Sequence, residues 1–260
     1  MDKIYDTPNT MEALHICSWN IWFENVAQYH RINEIMSEIG ERNPDVVCFQ
    51  EATWPLIQYI EASIHTESFN VLYDEYPLRS YGQIFLISKR FDKDSYTFKS
   101  VPFTKTRMNR RMCILSLHQF NLDIINIHLE SEFVNKNTRS YPYTKYGQLN
   151  EVLNKGKSGD HQTVIIGDFN MSQDDDSVFN QALEKRGYTC ISANQLTYDH
   201  TANSNIKGIY KSALDRAVCN WPPVHELHEM LGQTPFVLNG LFFYPSDHFG
   251  LDMSIKISKD

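Results

Sequence analysis

Residues 164–177 read VIIGDFNMSQDDDS, and this stretch decides how the fold is interpreted. A short apolar run and Gly167 come directly before Asp168 and Asn170, after which the chain becomes polar and acidic. Such a run is typical of a strand that is covered on both faces. An ordinary turn needs only one side chain of this type, so the pair indicates a chemical site at a strand end. Alternation along the strand predicts that both side chains point to the same face.

Apolar runs of the same kind recur along the chain, and helical patterns separate several of them. The predicted strands are residues 14–19, 45–50, 83–88, 111–118, 122–129, 163–168, 214–219 and 249–255. The predicted helices are residues 29–42, 54–65, 143–155 and 176–187. The order predicts a layered α/β (or α+β) fold, with a hairpin that turns at residues 119–121. Since no linker or internal repeat divides the chain, we expect one domain over residues 1–260.

The charge and cysteine content narrow the class of protein. The formal net charge of −8 argues against binding nucleic acid through a broad cationic face. Five cysteines, mostly within apolar runs, suit reduced and buried thiols, so we expect an intracellular protein, nuclear or cytoplasmic. No apolar run approaches the length of a membrane span, and the first residues lack the pattern of a signal peptide. A membrane partner is therefore not expected.

Polar side chains follow several of the predicted strands. The residues at these ends are Asn20, Glu51, His128 with Ser131, and Asp247 with His248. Because the carboxyl ends of neighbouring strands share one edge of a layered α/β fold, we expect them to converge with Asp168 and Asn170. Taken singly, Glu51 and Asp168 can instead be helix or turn caps, and His128 a hydrogen-bonded core histidine.

The residue types at these strand ends suit a divalent cation and a phosphate group. Glu51 with Asp168 or Asp247 offers the hard oxygen ligands that Mg²⁺ or Mn²⁺ prefers, whereas zinc favours Cys or clustered His. Asparagine side chains can hold a water or a phosphate oxygen without adding charge. Histidines can donate to a phosphoryl oxygen, and an aspartate beside a metal can orient or deprotonate water. The set therefore predicts hydrolysis of a phosphate ester.

Two other polar segments are expected to be structural. The segment 224–230, VHELHEM, contains His225 and His228 but lacks the spacing of a helical zinc-protease motif, so no zinc site is expected from it. The aspartates at 174–176 lack the alternating ligands and central glycine of a calcium loop. We expect them to form a turn and the cap of the next helix.

Six short motifs occur in order along the chain: SWN (18–20), FQE (49–51), NIHLES (126–131), GDFN (167–170), LDR (214–216) and SDHFGL (246–251). Over residues 14–254 they resemble the motif series of the endonuclease/exonuclease/phosphatase superfamily of metal-dependent phosphodiesterases. The segments VPFTKTRMNRRM (101–112) and LTYD (196–199) are most similar to the 5′-tyrosyl-DNA phosphodiesterase branch. The resemblance implies a four-layer, DNase I-like sandwich of two face-to-face mixed β-sheets flanked by helices, as one catalytic domain over residues 1–260.

The resemblance also implies roles for individual residues. The side chains implied to hold Mg²⁺, for which Mn²⁺ can substitute, are Glu51, Asn20 and Asp247. Asp168 would activate or orient the water, and Asp215 would orient His248 through a carboxylate–imidazole hydrogen bond. The alternative for Asp215 is an ion pair with Arg216. The side chains implied to grip the scissile phosphate are Asn170, His128, Ser131 and His248.

Two positions depart from the branch. Ser172 stands where animal members commonly have an arginine that meets the phosphate. Tyr198 stands where they usually have tryptophan, although a tyrosine can still pack beside the phosphate or donate to it. Both changes concern the grip on the substrate, while the implied metal and water groups are intact.

The expected reaction is removal of a trapped topoisomerase II tyrosine from a 5′ end of DNA, a step of DNA repair. We expect a monomer that holds single-stranded or frayed 5′ ends locally, through Arg107, Arg110 and Arg111 together with exposed aromatic side chains. The alternative for these arginines is a solvated basic hairpin. Two other functions stay open: another phosphodiesterase of the superfamily (an abasic-site or other nuclease, a deadenylase or a lipid phosphodiesterase), and a non-catalytic binding module.

Overall fold

The computed structural model describes residues 11–63, 65–74, 81–131, 142–157, 161–192 and 194–258. Within these ranges the strands are β1 (Met11–Asn20), β2 (Val46–Ala52), β3 (Phe69–Leu72), β4 (Gly82–Ser88), β5 (Tyr96–Pro102), β6 (Arg111–Leu117), β7 (Leu122–His128), β8 (Gln162–Asp168), β9 (Thr189–Cys190), β10 (Tyr198–Asp199), β11 (Lys211–Ser212), β12 (Asp215–Cys219), β13 (His225–Leu227), β14 (Phe236–Leu238), β15 (Leu241–Phe243) and β16 (Leu251–Ser258). The helices are α1 (Gln28–Arg42), α2 (Trp54–Glu61), α3 (His65–Ser68), α4 (Pro142–Lys157) and α5 (Asp176–Glu184).

Twelve of these strands form two mixed six-stranded sheets. The order in the first sheet is β13-β16-β1-β2-β4-β3, in which β1 is antiparallel to β16 and parallel to β2. The order in the second sheet is β5-β6-β7-β8-β12-β9, in which β7 is parallel to β8 and β8 is antiparallel to β12. The two parallel pairs place the carboxyl ends of β1 with β2, and of β7 with β8, at the same edge of their sheets.

Three apolar clusters define the layers. Ile16 and Leu115 belong to a cluster between the two sheets. Ile35 of α1 and Leu56 of α2 pack on the outer face of the first sheet. Leu149 of α4 packs, with α5, on the outer face of the second sheet. The observed fold is therefore the predicted sandwich of two face-to-face mixed sheets flanked by helices.

Most predicted elements are confirmed, and the differences have local causes. All eight predicted strands are present, and the β6–β7 hairpin turns through Asn121, whose φ is 48°. The helix predicted at 54–65 ends at Glu61, and the separate one-turn helix α3 follows it. Eight strands were not predicted. The two- and three-residue strands β9 to β11 and β13 to β15 contain no readable alternation, and β3 and β5 lack a continuous apolar run because polar residues interrupt them.

A buried polar network aligns the two sheets. Gln50 of β2 donates from Nε2 to Asn126 Oδ1 of β7 at 2.8 Å and to Ser18 Oγ at 3.1 Å. Asn126 donates from Nδ2 to the carbonyl oxygens of Phe49 and Ile84, at 3.0 and 3.1 Å. Because these groups are satisfied only in one alignment, the network fixes how the strand ends of one sheet face those of the other.

Two further predictions concern the thiols and the helices. All five cysteines are free thiols, and Cys190 alone among them is not fully buried. None of the helices in the described ranges has both the length and the apolar composition needed to cross a bilayer.

Candidate active site

The strand ends of both sheets open into one cleft of about 870 Å³. In the second sheet His128, Asp168 and Asp215 are register neighbours across β7, β8 and β12. Asn20 and Glu51 approach them from the first sheet. The predicted site residues that line the cleft are Asn20, Glu51, Arg110, His128, Ser131, Asp168, Asn170, Tyr198, Asp247 and His248. The fold thus brings together residues from both halves of the chain.

Asp168 is buried at the end of β8, and both of its carboxylate oxygens are held. Oδ2 accepts a hydrogen bond from Asn20 Nδ2 at 3.0 Å and lies 3.3 Å from His128 Nε2. Oδ1 accepts from the backbone N–H of Asn170 at 2.8 Å. Burial, together with the negative charge of Asp215, raises the pKa of Asp168 to about 6. A carboxylate whose pKa lies this close to neutral pH is suited to accepting a proton from water.

The backbone on either side of Asp168 shapes this strand end. Gly167 has φ 135°, and a Cβ there would lie 2.1 Å from the carbonyl oxygen of Ile127, so only glycine fits. Asn170 has φ 50° and donates from Nδ2 to the carbonyl oxygen of Leu129 at 3.0 Å. Asp168 and Asn170 both line the cleft, as predicted, but strand alternation is not the reason, because β8 ends at Asp168. Asn170 reaches the cleft through a left-handed turn, a conformation that Asn tolerates.

Glu51 lies on a bulge near the end of β2. Its φ is 57°, and the β2–β4 register shifts between Phe49 and Ala52. Its Oε2 accepts from the backbone N–H of Phe23 at 2.9 Å, and its Oε1 lies 3.8 Å from His128 Nε2. A left-handed conformation costs a non-glycine residue on the order of 1 kcal/mol. The bulge therefore aims the carboxylate into the cleft at a cost to stability.

The oxygen donors on this side of the cleft fit a divalent cation. Burial raises the pKa of Glu51. Burial, with a contribution from the charge of Glu51, raises the pKa of Asp247 to about 6. A bound cation would relieve this repulsion, and the carboxylates with the amide oxygen of Asn20 are the ligand type that Mg²⁺ prefers. A neighbouring cluster of Asp168, Asp215 and His248 has donor atoms within 4.8 Å of one another, but its histidine is already bound to Asp215.

His128 is held as a neutral donor. Arg110 is also buried, and its Nη1 donates to His128 Nδ1 at 2.8 Å, which leaves the imidazole proton on Nε2. Burial and then the charge of Arg110 lower the pKa of His128 well below its usual range. The Nε2–H group faces Asp168 and Glu51. His128 is therefore suited to donating one hydrogen bond without carrying a charge.

Replacing Arg110 with Met is expected to lower kcat about 10-fold to 100-fold and to change KM little, because the variant frees His128 to change tautomer. Steady-state kinetics on a phosphodiester substrate measure the change in kcat and KM. The Lys185→Met variant, at an exposed position, is the control for the lost charge. A raised KM with a weaker salt dependence and an unchanged kcat would instead support the direct DNA contact that the sequence predicts for Arg110.

His248 is held as a charged donor. Its Nδ1 lies 2.7 Å from Oδ2 of Asp215, as the sequence predicted for this pair. Burial alone lowers the pKa of His248, but the charges of Asp215, Asp247 and Asp168 outweigh burial and raise it to about 10. Arg216, the alternative partner of Asp215, instead pairs with Asp176 at 2.7 Å. The cleft thus contains one neutral and one charged imidazole.

Tyr198 and Ser131 complete the predicted walls of the cleft. The Tyr198 ring packs edge-on against the His248 ring, with the centroids 5.0 Å apart. Burial, with the charge of Asp247, raises the pKa of Tyr198 to about 12, so its hydroxyl keeps its proton and can donate. Ser131 Oγ lies 3.5 Å from Met108 Sδ at the opposite wall.

Sequence reasoning missed a lysine beside the phosphate-binding candidates. Lys145 of α4 lines the cleft and donates from Nζ to the carbonyl oxygen of Asn170 at 3.1 Å and to Asp175 Oδ2 at 2.8 Å. Asp175 also forms a capping box with Ser172, so the predicted turn is present. The predicted cap is not made, because Asp175 at the N-cap position of α5 forms no side-chain hydrogen bond with that helix. A single lysine within a helix gives no sequence signal of this kind.

The three predicted DNA-binding arginines lie in different environments. Arg107 is exposed, on a loop whose N–H groups at 107 and 108 donate to the Glu130 carboxylate. Arg110 is buried behind His128. Arg111 donates from Nη2 to Asp74 Oδ2 and to the Ser100 carbonyl oxygen, both at 3.1 Å. The three arginines therefore do not form one basic face. Arg107 is the one best placed to contact a flexible DNA strand.

Arg31 of α1 is a second residue that sequence reasoning missed. It is 1% exposed, and its guanidinium donates to backbone carbonyl groups, those of Ile21, Trp22, Glu24, Val26 and Pro245. It therefore ties the loop after β1 to the segment before Asp247. The signal was weak, because the arginine stands beside the apolar stripe of an otherwise ordinary amphipathic helix.

Replacing Arg31 with Met is expected to lower the free energy of unfolding by about 3 kcal/mol, since buried carbonyl groups lose their donors. Urea denaturation of the Arg31→Met variant measures this loss, and the Arg90→Met variant is the control. The Arg90 pairs are half-exposed, so that change is expected to cost less than about 1 kcal/mol. Equal losses in the two variants would contradict a special role for Arg31.

Comparison with known proteins identifies the family and the fold. The model of the Endonuclease/Exonuclease/phosphatase family matches residues 17–248, so the chain belongs to that family and has its hydrolase fold. Truncated TDP2 from Caenorhabditis elegans superposes with a TM-score of 0.73 at 19% identity, over 94% of this chain and 97% of that one. D. rerio TDP2, crystallised with a single-strand DNA product, gives 0.71 at 21% identity, over 95% and 100% of the two chains.

A bacterial toxin shares the fold as well. Beta toxin from Staphylococcus aureus gives a TM-score of 0.66 at 18% identity, over 92% of this chain and 99% of that one. No curated protein matches the sequence at a significant level. At these identities the solved structures establish the fold, and the chemistry depends on the residues in the cleft.

Proposed function

We propose that the protein is a Mg²⁺-dependent phosphodiesterase that hydrolyses the 5′-phosphotyrosyl bond between a topoisomerase II tyrosine and a DNA end. The observation that carries the proposal is the geometry of the cleft. The buried carboxylate of Asp168 lies 3.3 Å from Nε2 of His128, which Arg110 holds, and His248 is hydrogen-bonded to Asp215. The similarity of the fold to TDP2 structures supports the choice of substrate.

The reaction is an in-line displacement at phosphorus. Asp168 orients the water and accepts its proton as the new oxygen–phosphorus bond forms. His128, His248 and Asn170 donate to the phosphoryl oxygens. The bond from phosphorus to the tyrosyl oxygen breaks, which leaves a 5′ phosphate and a tyrosine. Glu51, Asp247 and Asn20 would hold Mg²⁺, which when bound would supply positive charge to the phosphate oxygens.

The leaving group and the aromatic walls fit a tyrosyl ester. A phenol with a pKa near 10 departs as phenolate without a strong general acid. Tyr198 and the stacked pair Phe23 and Tyr81, whose centroids are 4.6 Å apart, offer ring faces to a tyrosine or to bases.

The partner we propose is a single-stranded or frayed 5′ end of DNA. The D. rerio TDP2 structure contains a single-strand DNA product, and this chain presents exposed Arg107 and aromatic side chains near its cleft. Contact through a few local groups is consistent with the acidic net charge of −8. We propose further that the enzyme acts as a monomer within the cell.

The test is turnover of an oligonucleotide carrying a 5′-phosphotyrosyl group, measured against Mg²⁺ concentration and with a chelator. An abasic duplex, a poly(A) strand and sphingomyelin serve as competing substrates. We expect hydrolysis of the phosphotyrosyl end to be preferred and to stop when the chelator removes the metal. Preference for a competing substrate would assign the protein to another activity of its family, and no metal-dependent turnover of any substrate would indicate a binding module.

A further inference from the structure

A second cluster of ligating side chains lies outside the cleft. His15, His228 and Asp252 each place one donor atom within 4.8 Å of those of the other two. They belong to three neighbouring chain segments at one side of the first sheet. On β1 and β16, Cys17 is paired with Asp252, and after β13 the backbone N–H of His228 donates to the Asp252 carbonyl oxygen at 2.9 Å.

This cluster is separate from the catalytic residues. Cys17 belongs to the apolar cluster under α1, so the odd-numbered residues of β1 face outward, whereas Ile16 faces the second sheet. Asn20 and His15 therefore lie on opposite faces of β1. Five residues along a strand also separate them by roughly 17 Å.

His15 and Cys17 contact one buried carboxylate, that of Asp252, whereas Nε2 of His228 lies 2.9 Å from Ser254 Oγ. Asp252 is 1% exposed, and its Oδ1 lies 2.5 Å from His15 Nε2 and 3.6 Å from Cys17 Sγ. Its Oδ2 accepts no hydrogen bond from the described residues, and the Nη1 of Arg42 lies 3.3 Å from it. The ring of His228 packs edge-on against that of His15, with the centroids 5.5 Å apart, and both rings are partly exposed. The two partly exposed rings therefore lie beside a buried carboxylate, one oxygen of which accepts no hydrogen bond from the described residues and faces the Arg42 guanidinium.

We propose that His15, His228 and Asp252 bind a zinc ion, with Cys17 as the fourth ligand. In a tetrahedral zinc site the bonds to nitrogen, oxygen and sulfur are about 2.0 to 2.3 Å long, so the ligand atoms lie about 3.3 to 3.6 Å from one another. The Cys17 Sγ distances of 3.6 Å to Asp252 Oδ1 and 4.0 Å to His15 Nε2 are close to this spacing. The 2.5 Å contact between His15 and Asp252 must open by about 1 Å to admit the ion.

The donor set selects zinc over the metal of the cleft. Imidazole nitrogen and thiolate sulfur suit Zn²⁺, whereas Mg²⁺ requires oxygen ligands. Binding releases the Cys17 proton to solvent, so that one thiolate and one carboxylate balance the two charges of the ion. Such a site would join β1, β16 and the short edge strand β13.

The proposed site differs from the helical zinc-protease motif considered for VHELHEM. His225 and His228 do not form a helical zinc-protease pair, because this segment is partly strand β13. His228 instead meets ligands that lie more than 200 residues earlier and about 20 residues later in the chain. Periodicity within the segment could not reveal them.

The test is a zinc titration of the full chain, stripped of metal and kept in excess Mg²⁺, against a chromophoric chelator. We expect one equivalent of Zn²⁺ to bind with submicromolar affinity and to raise Tm. His228→Ala, at a partly exposed position, is expected to weaken binding at least 100-fold, while His225→Ala, three residues away and exposed, leaves it unchanged. Equal binding by these two variants, or no submicromolar binding by the parent, overturns the proposal.

The absorption spectrum of bound Co²⁺ distinguishes this site from the cleft. Co²⁺ bound to the parent is expected to show a thiolate charge-transfer band that Cys17→Ser removes, since the cleft residues include no cysteine. A band that persists in Cys17→Ser overturns the assignment of the fourth ligand. Loss of the tight zinc equivalent in Asp168→Asn would place the ion in the cleft and overturn the site. Because these readouts do not involve turnover, they are independent of the proposed function.

Discussion

Asp168→Asn is expected to lower kcat by about 10³-fold to 10⁴-fold on the phosphotyrosyl oligonucleotide. The amide has the same shape, and its oxygen can still accept a hydrogen bond from Asn20 or from the Asn170 backbone. It cannot accept a proton from water, however, so the loss concerns the chemical step. KM is expected to change much less than kcat.

The same substitution is expected to stabilise the metal-free protein at pH 7. The pKa of Asp168 is raised from 3.8 to about 6 in the folded state, so its ionisation opposes folding as pH rises through this range. The amide removes that penalty, and the stability difference should vanish below about pH 4. Urea denaturation at pH 4 and pH 7 measures it, with Asp123→Asn, at a partly exposed position of β7, as the matched control.

Together these two measurements separate function from folding. A variant that is inactive and more stable has lost a reacting group, whereas an inactive and unstable one has lost structure. If the activity of Asp168→Asn is within about 3-fold of that of the parent, Asp168 takes no part in the reaction. This result would favour the alternative of a binding module.

Asp215→Asn is expected to lower kcat at pH 8 by about 10²-fold to 10³-fold and to move the pH–rate profile toward acid. In the parent, His248 keeps its proton up to a pKa of about 10, because the charges of Asp215, Asp247 and Asp168 outweigh burial. Without the Asp215 charge the effect of burial gains weight and the pKa of His248 falls. His248 then loses its proton at a lower pH, so the alkaline limb of the pH–rate profile moves to lower pH.

The pH dependence of kcat from pH 5 to pH 10 measures this shift. Asp176→Asn is the matched control, since this carboxylate pairs with Arg216, the residue next to Asp215 in sequence, and stands at the start of α5. A uniform loss of rate at every pH in Asp215→Asn would indicate a role in structure alone and would contradict the charge on His248.

The sequence identified most of the fold because its long strands carry continuous apolar runs. The runs that end in Asn20, His128 and Asp168 predicted buried strands, and the structure contains them in β1, β7 and β8. Polar residues inside such runs, above all Gln50 and Asn126, were not interpreted. They turn out to align the two sheets, which no periodicity along one strand can show.

The sequence also predicted the residue types of the site, but it did not predict the surroundings of several of these side chains. Arg110 looked like part of a basic patch, whereas its contact with His128 depends on how β6 and β7 pair. Asn170 looked like the next outward residue of a strand, whereas a left-handed turn carries it into the cleft. Arg31 gave a weak signal and Lys145 none, because the backbone carbonyl groups and the carboxylate that they bind are brought to them by the folding of loops and of α5's leading turn.

The sequence by itself determined the elements, the family motifs and the chemical types at the strand ends, because these depend on residues close together in the chain. Tertiary structure alone decided which of two histidines is charged. His128 lies against Arg110 and His248 against Asp215, so burial and neighbouring charge move their pKa values in opposite directions. That difference depends on side chains 18 and 33 residues away in sequence, which only the packing of strands brings within 3 Å.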